Sequence, residues 1–165
     1  MEGTGQEKDF ERIYEMYVND IYRLCYSFMK NSMDAEDAVQ ETFCKFYRCE
    51  KAFDSDSHMK AWLIVTASNY CKDMLKHWWR KRRDIDECVN MYSEERTEIN
   101  ELMSAIMNLP EKYKTTVFLY YYEGYNSREI AKLLNKPEST IRTYLQKARN
   151  ILKGNLIEGE VVYEQ

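Results

Sequence analysis

The strongest chemical signature in the sequence lies in residues 126–150, which read NSREIAKLLNKPESTIRTYLQKARN. Apolar residues recur at helical spacing before Pro137, at Ile130, Ala131 and Leu134, and a second apolar stripe follows the proline. Ala131 is small at a point where two helices must approach closely. Two short helices around a tight Asn-Lys-Pro turn are typical of a helix-turn-helix, whose second helix enters the major groove of DNA.

The second of these helices has two chemically different sides. Arginine and glutamine match the donors and acceptors of base edges, and serine, threonine and lysine suit phosphates or bases. A solvated polar face on an ordinary helical hairpin is the simpler alternative, but the short helix, tight turn and basic face together favour DNA binding. The apolar side carries Ile141, Leu145, Ala148 and Leu152. The polar side carries Ser139, Arg142, Thr143, Gln146, Lys147, Arg149 and Asn150.

A second basic surface is predicted on a helix near residues 59–83. Basic groups bind phosphates, and aromatic rings with an amide receive unstacked bases, so this surface suits single-stranded or opened DNA. The alternative is that the aromatic residues pack in the core, as we expect for Trp62 and Tyr70, while the charges are simply solvated. The polar residues at helical spacing are Asn69, Lys72, Asp73, Lys76, Arg80 and Arg83, and the aromatic residues are Trp62, Tyr70, Trp78 and Trp79.

A third polar face lies on the predicted helix at residues 34–48. Asp37, Gln40, Glu41 and Lys45 recur at helical spacing on its outer side. An acidic and amide face of this kind is usually only solvated. It is also suited to bind a basic helical partner.

Signatures of common enzymes and metal sites are missing from the sequence. The five cysteines include no C-x-x-C pair, and none is placed near a histidine at zinc-ligand spacing. Neither phosphate-binding glycine motif occurs, and G-x-S-x-G and H-E-x-x-H are absent as well. These absences do not exclude catalysis. We predict no metal site and no cofactor, and we expect reduced, mostly structural thiols.

The composition indicates an all-α protein. Hydrophobic residues make up 44% of the 165 residues, and Pro110 and Pro137 are the only prolines. Long stretches with little proline or glycine favour helices over strands joined by tight turns. No apolar stretch has the length of a membrane span or a signal peptide, which predicts a cytoplasmic protein without membrane insertion. The stripes predict helices at 10–28, 35–46, 59–83, 97–107, 110–122, 127–134 and 138–153, with Ser57 and Asn126 as N-caps and Gly154 as the last stop.

The charge is distributed unevenly along the chain. Residues 1–83 contain 14 acids and 14 bases, residues 84–101 seven acids and one base, and residues 102–157 four acids and nine bases. A neutral block, an acidic join and a basic block indicate two small domains. We predict a first domain at 1–83, an acidic linker at 84–95, a second domain at 96–157 and an acidic tail at 158–165.

Three segments together carry a family resemblance. Residues 34–48, DAEDAVQETFCKFYR, resemble the polymerase-binding helix of sigma region 2. Residues 61–83 resemble its promoter-melting and −10-reading helix, and residues 109–153 resemble sigma region 4. In this order, and with a short join between them, they resemble a bacterial alternative sigma factor of the extracytoplasmic-function (ECF) type, the smallest group of the sigma-70 family.

The resemblance implies a protein without catalytic activity of its own. It would direct core RNA polymerase to promoters and help to melt them, docking on the clamp coiled coil through Asp37, Gln40 and Glu41. Region 4 would also grip the polymerase flap. Family members are commonly held inactive by an anti-sigma factor, so such a partner is expected.

The resemblance also implies which residues contact the promoter. Asn69 matches the position that helps to hold a flipped non-template base of the −10 element, beside the loop at 53–58. The residues implied at the −10 DNA are Asn69, Lys72, Asp73, Lys76, Arg80, Arg82 and Arg83. Those implied at the −35 element are Thr140, Arg142, Thr143, Gln146, Lys147 and Arg149.

The sequence departs from the family pattern at two places. Gln146 and Lys147 stand where some relatives have an aromatic residue and an arginine. Residues 118–122, FLYYY, replace a run rich in leucine and isoleucine. The second departure predicts a tyrosine-heavy core whose hydroxyls need partners.

Two other functions remain open at this point. A stand-alone helix-turn-helix regulator would dimerise and bind its operator tightly without polymerase. The second DNA-facing helix argues against this alternative. A metal- or redox-dependent enzyme or sensor built on the cysteines and histidines is the other, and the spacing of these residues argues against it.

Overall fold

The structure, a computed structural model, describes the backbone of residues 5–82 and 101–158 and, within them, the side chains of 9–78 and 103–154. Every regular element in these two ranges is helical, as predicted. The chain divides into two compact helical units. The predicted linker at 84–95 lies outside the described residues, so its bounds stay a prediction. The first unit contains α1 (Gly5–Met29), α2 (Ser32–Arg48) and α3 (Asp56–Arg82), and the second contains α4 (Glu101–Met107), α5 (Glu111–Val117), a π-helical turn (Phe118–Tyr122), α6 (Ser127–Leu134) and α7 (Glu138–Glu158).

The first unit is a three-helix bundle in which each helix packs against the other two. Alanines with no more than about a hundredth of their surface exposed let the helix backbones approach closely, and larger apolar side chains fill the remaining space. Fully burying one leucine, isoleucine or phenylalanine contributes about 1.5–3 kcal/mol. The bundle core includes Ile13, Ile21, Leu24, Phe28, Ala35, Ala38, Phe43, Ala61, Leu63 and Ala67.

The corner between α1 and α2 is fixed by one left-handed residue and one cap. Lys30 has φ +62°, and Asn31 then accepts a hydrogen bond from the backbone N–H of Asp34 at 2.9 Å. The Asn31 amide also donates to the Asp34 carboxylate at 2.6 Å. These bonds satisfy donors that a helix start leaves unpaired, so the chain reverses direction within two residues.

The start of α3 differs from the sequence prediction. Ser57 is not the N-cap, because the helix begins at Asp56 and the His58 N–H is bonded to Ser55 Oγ at 3.1 Å. Serines at 55 and 57 are equally good caps in sequence, and contacts outside α3 select the earlier start. Arg12 on α1 forms a salt bridge with Asp56 at 3.1 Å, which holds this helix end against the bundle.

The second unit contains the predicted helix-turn-helix. Asn126 caps α6 by accepting from the Glu129 N–H at 2.9 Å, as predicted, and its amide donates to the Glu129 carboxylate at 2.8 Å. At the other end of α6, Asn135 adopts the left-handed conformation with φ +52°. Such a residue ends a helix by satisfying its last carbonyl groups. Lys136 and Pro137 then lead into α7.

The helix after Pro110 departs from the prediction at its second half. The chain is α-helical only to Val117 and then widens into the π-helical turn Phe118–Tyr122. The expected tyrosine-heavy core is wrong, because Phe118 and Leu119 are buried whereas Tyr121 and Tyr122 are 49% and 40% exposed. The wider turn changes the directions in which successive side chains point, and it presents two tyrosines to solvent.

The last helix continues past its predicted stop. Gly154 lies inside α7, which extends to Glu158, and a Cβ on Gly154 would meet open space rather than another part of the described structure. A single glycine in a helix is tolerated at a cost of about 1 kcal/mol, so it does not by itself end one. Gly124, in contrast, has φ +73° and forms the turn before α6.

Replacement of Gly154 by alanine is expected to raise the free energy of unfolding by about 0.5–1 kcal/mol, because alanine loses less backbone entropy in a helix. The measurement is the urea midpoint of the full chain. Gly124→Ala is the matched control and should lower stability by about 1–2 kcal/mol, because an alanine there would be left-handed. Destabilisation by both changes would contradict a helical Gly154.

Cys25 and Cys71 face each other in the core of the first unit, and neither is exposed to solvent. A hydrogen bond between the two thiols, together with burial, raises the pKa of Cys25 far above its usual range. Cys44 and Cys49 are half-buried near the surface. Cys25 and Cys71 therefore differ strongly in solvent access from Cys44 and Cys49.

Cys25 and Cys71 are expected to resist iodoacetamide in the folded protein, because both thiols are buried, whereas the more accessible Cys44 and Cys49 become alkylated. Peptide mass mapping after timed labelling measures each site. In denaturant all four should react at similar rates. Alkylation of Cys25 as fast as that of Cys44 in the folded protein would contradict the buried pair.

Candidate nucleic-acid interface

The predicted reading face of α7 is exposed along its whole length. Burial of Ile141, Leu145, Ala148 and Leu152 against the rest of the second unit turns the opposite side outward. Thr140 is half-buried at the edge of this face. The structure therefore brings the predicted residues together on one surface, where Arg142, Thr143, Gln146, Lys147 and Arg149 are exposed, as are Ser139 and Asn150.

Arg142 is held by a neighbouring carboxylate near the start of α7. Its Nη2 donates to Glu138 Oε1 at 2.8 Å, one helical turn earlier, while 70% of the Arg142 side chain stays exposed. Ser127 Oγ donates to the same Glu138 oxygen at 3.2 Å. Glu138 is not among the residues predicted from the sequence, although its spacing of four residues from Arg142 is a visible signal for an ion pair.

Arg149 lies at the other end of the face and contacts the π-helical turn. Its Nε donates to the Tyr121 hydroxyl at 3.5 Å, and this bond raises the pKa of Arg149 above its usual value. The two residues are 28 positions apart in the chain. No local sequence pattern links them, so this contact was not predictable from spacing.

The polar stripe of α3 is present as predicted over the described side chains. Asn69, Asp73 and Lys76 are exposed, and Lys72 beside them is half-buried. Arg80 and Arg82 lie on the last turn of the helix, although their side chains are outside the description. Arg83 lies outside the described residues altogether.

An aromatic cluster lies beside the first turns of α3. The centre of the Trp62 ring lies 5.9 Å from that of Phe53, in an edge-on arrangement, and 6.1 Å from that of Phe46. The His58 ring lies 5.5 Å from Phe53. Trp62 is half-buried and packs inward, as expected. The cluster fixes the loop that leads into α3, because Phe53 in this loop contacts the rings of His58 and Trp62 on that helix.

The acidic face of α2 meets α3 at Tyr70. Burial, followed by the negative charges of Glu41 and Asp37, raises the Tyr70 pKa. The Lys45 ammonium lies 5.3 Å from the centre of the Tyr70 ring. Asp37 and Gln40 are exposed, and Glu41 is half-buried. The face is therefore an acidic surface with an aromatic edge, open to a partner.

The described residues contain neither a cluster suited to a metal ion nor a helix suited to cross a membrane. Within 5–82 and 101–158, no three histidine, cysteine, aspartate or glutamate residues lie close enough to hold a metal ion. No helix in these ranges combines the length and apolar character that a bilayer crossing requires.

Comparison with known proteins assigns both units. Sigma-70 region 2 matches residues 13–83, and Sigma-70, region 4 matches residues 99–152. Together these matches cover most of the chain. They coincide with the unit that carries α1–α3 and with the unit that carries the helix-turn-helix.

Curated relatives match over nearly their whole length. The chain is 30% identical to the ECF RNA polymerase sigma factor SigM of Bacillus subtilis, over 87% of this chain and 92% of the relative. It is 28% identical to SigW of the same organism, over 92% of this chain and 91% of the relative. It is also 28% identical to the ECF RNA polymerase sigma-E factor of Haemophilus influenzae, over 92% and 89%.

A solved structure has the same fold. The sigma factor RpoE of Bartonella quintana, crystallised with the anti-sigma factor NepR, matches with a TM-score of 0.72 at 22% identity, over 90% of this chain and 97% of that one. The family matches, their order along the chain and the relatives agree with one another. The chain belongs to the sigma-70 family, as an RNA polymerase sigma factor of the ECF group.

Proposed function

We propose that this protein binds core RNA polymerase, directs it to promoters with −35 and −10 elements and helps to open them, without catalysis of its own. The observation that carries this proposal is the pair of exposed DNA-suited faces, one on each sigma-70 region. A protein with this role acts with the polymerase in the cytoplasm.

The face of α7 is proposed to contact the −35 element. In helix-turn-helix proteins, residues near the start of the second helix reach base edges in the major groove. Arg142 is exposed near that start, and an arginine there suits guanine. Lys147 and Arg149 are exposed further along the helix and suit phosphates. The remaining proposed contacts on this face are Thr140, Thr143 and Gln146.

The polar stripe of α3 is proposed to contact the −10 element. Asn69 is exposed on this stripe and can accept from and donate to a base that has left the stack. Trapping unstacked bases shifts the equilibrium toward open DNA without nucleotide hydrolysis. The proposed residues that follow the DNA beside Asn69 are Lys72, Asp73, Lys76, Arg80, Arg82 and Arg83.

The acidic face of α2 is proposed to bind the polymerase. Asp37, Gln40 and Glu41 lie together on an outer surface, and the negative charges of Glu41 and Asp37 add to the effect of burial in raising the pKa of nearby Tyr70. A coiled coil in the polymerase clamp is the proposed partner of this face. The second unit is proposed to grip the polymerase flap, which gives each unit its own protein contact.

The net charge supports cooperation with the polymerase. At −4 the free protein has little long-range attraction to DNA, whose binding is largely electrostatic. We propose that it binds promoters weakly alone and strongly when the polymerase holds both units. Linking two weak modules raises the effective concentration of the second once the first has bound.

An anti-sigma factor is a further proposed partner. The RpoE structure of similar fold was obtained as a complex with the anti-sigma factor NepR. Such a partner would control access to the polymerase-binding and DNA-binding faces. A stand-alone operator-binding regulator is not favoured, because Sigma-70 region 2 matches most of the first unit.

Transcription in vitro tests the proposal directly. Core RNA polymerase is incubated with and without this protein on DNA from upstream of its own gene. We expect transcripts that depend on the protein and whose start sites define the −10 and −35 sequences. Tight binding of the protein alone to this DNA, without a transcript, would instead favour the operator-binding regulator.

Replacement of Asn69 by alanine is expected to lower open-complex formation about tenfold, because the trapped base loses its hydrogen bonds. Permanganate reactivity of unpaired thymines measures opening, and a fluorescence assay measures affinity for core polymerase. That affinity should be unchanged, since Asn69 lies on α3 and the proposed docking face lies on α2.

A reciprocal variant controls this experiment. Changing Asp37 to Asn and Glu41 to Gln together should weaken binding to core polymerase. Once the polymerase is saturated with this variant, opening should be normal. If Asn69→Ala weakens polymerase binding as much as it weakens opening, the proposed separation of the two faces is wrong.

A further inference from the structure

A carboxylate lies at the start of the helix that is proposed to contact the −35 element. Glu138 is the first residue of α7 and follows Pro137 directly. DNA phosphates repel a carboxylate, so a glutamate at this point needs a physical reason. One general reason is that the partial positive charge of a helix N-terminus stabilises an acid in the first turn.

The contacts of Glu138 provide a more specific reason. Its Oε1 accepts from Arg142 Nη2 at 2.8 Å and from Ser127 Oγ at 3.2 Å. Ser127 is the first residue of α6, and Arg142 is one turn into α7. A single carboxylate oxygen therefore joins the beginnings of both helices of the helix-turn-helix to an exposed arginine.

This arrangement orders the Arg142 side chain before any DNA is bound. With 70% of its side chain exposed, Arg142 would otherwise sample many rotamers and lose that freedom on binding. The bond to Glu138 uses one of the five N–H donors of the guanidinium and leaves the other four, on Nε, Nη1 and Nη2, for a base. Ser127, the first residue of α6, fixes the Glu138 carboxylate in turn, so the arginine is anchored to the starts of both helices.

We propose that Glu138 is a positioning residue that sets how sharply Arg142 discriminates one base pair of the −35 element. The proposal rests on the proposed function, in which the exposed face of α7 contacts that element. Glu138 acts through Arg142 and need not touch a base. Ser127 contributes by keeping the carboxylate in place.

A purely structural role for Glu138 makes a different prediction. If the glutamate only stabilises the start of α7, its removal lowers stability and weakens binding equally for every −35 sequence. If it positions Arg142, its removal changes how much more transcription the preferred base pair supports than the other base pairs do, and it does so at one position of the −35 element only. The ratio of transcription on the preferred base pair to transcription on the other base pairs therefore separates the two roles.

The experiment uses the full chain with core RNA polymerase. The protein-dependent promoter from upstream of its own gene is made in versions with each −35 base pair changed in turn, and initial transcription is measured on every version. The variants are Glu138→Ala, Glu138→Gln, Arg142→Ala, Ser127→Ala and Glu138→Ala combined with Arg142→Ala. Glu111→Ala, which removes an acid from the first turn of α5 in the same unit, is the matched control.

We expect Arg142→Ala to abolish the preference at one base pair. Glu138→Ala should lower the preference at that same pair about two- to fivefold, in line with the strength of exposed ion pairs. Glu138→Gln keeps an acceptor oxygen and should lie between Glu138→Ala and the wild type, as should Ser127→Ala. The double variant should match Arg142→Ala, because the two residues act as a unit. Glu111→Ala should leave every ratio unchanged.

Three outcomes would overturn the proposal, and they are distinguishable. An unchanged ratio with Glu138→Ala, or an equal loss on every −35 sequence, leaves Glu138 only a structural role. An Arg142→Ala variant that keeps all base preferences shows that Arg142 does not read a base. The absence of protein-dependent transcripts with the wild type would overturn the proposed function itself, and this inference with it.

Discussion

Each polar face of this protein depends on burial of the opposite side of the helix that carries it. In α7, Ile141 is completely buried and Leu145 and Leu152 are less than a tenth exposed. Burial of each such side chain contributes about 1.5–3 kcal/mol. Rotation of the helix by one residue would expose these side chains and bury charged ones, which is far more costly. The direction of the reading face is therefore set by the core.

The same constraint acts in the first unit, where three long helices share one core. Alanines at helix contacts let the backbones approach closely. Because the apolar sides of α2 and α3 face this shared core, the outer face of α2 and the polar stripe of α3 lie on the surface. Tyr70 lies where those two helices meet, and its pKa is raised by burial and then by the nearby charges of Glu41 and Asp37. Two faces with different proposed partners are thus carried by one rigid bundle.

Short polar contacts at helix ends add precision that burial alone does not provide. Asn126 and Glu129 cap each other at the start of α6, and Glu138 joins both helices of the helix-turn-helix to Arg142. On the other unit, the salt bridge of Arg12 with Asp56 fixes the start of α3. Exposed ion pairs of this kind contribute at most about 1 kcal/mol to stability, so their main effect is on geometry.

The helical class, the helix-turn-helix and the polar faces were predictable from the sequence because they follow from local periodicity and capping. Apolar residues three or four apart define a helix side, and the Asn126 cap with the turn before Pro137 needs only neighbouring residues. The family resemblance, confirmed by the matches to both sigma-70 regions, rests on the same local segments. These features are set within a few helical turns of chain.

Tertiary structure decided the features for which local patterns offer equal alternatives or no signal. The start of α3 at Asp56 is held against α1 by Arg12, which is 44 positions away. The π-helical turn places Tyr121 on the surface and brings its hydroxyl to Arg149, 28 positions away. The path of α7 beyond Gly154 shows that one glycine is a weak stop when the helix on its N-terminal side is held by packing. Sequence alone thus determined which residues share a helix face and where a local cap begins a helix. The tertiary structure decided the contacts between distant segments, such as Arg12 with Asp56 and Tyr121 with Arg149, because these contacts exist only once the core has formed.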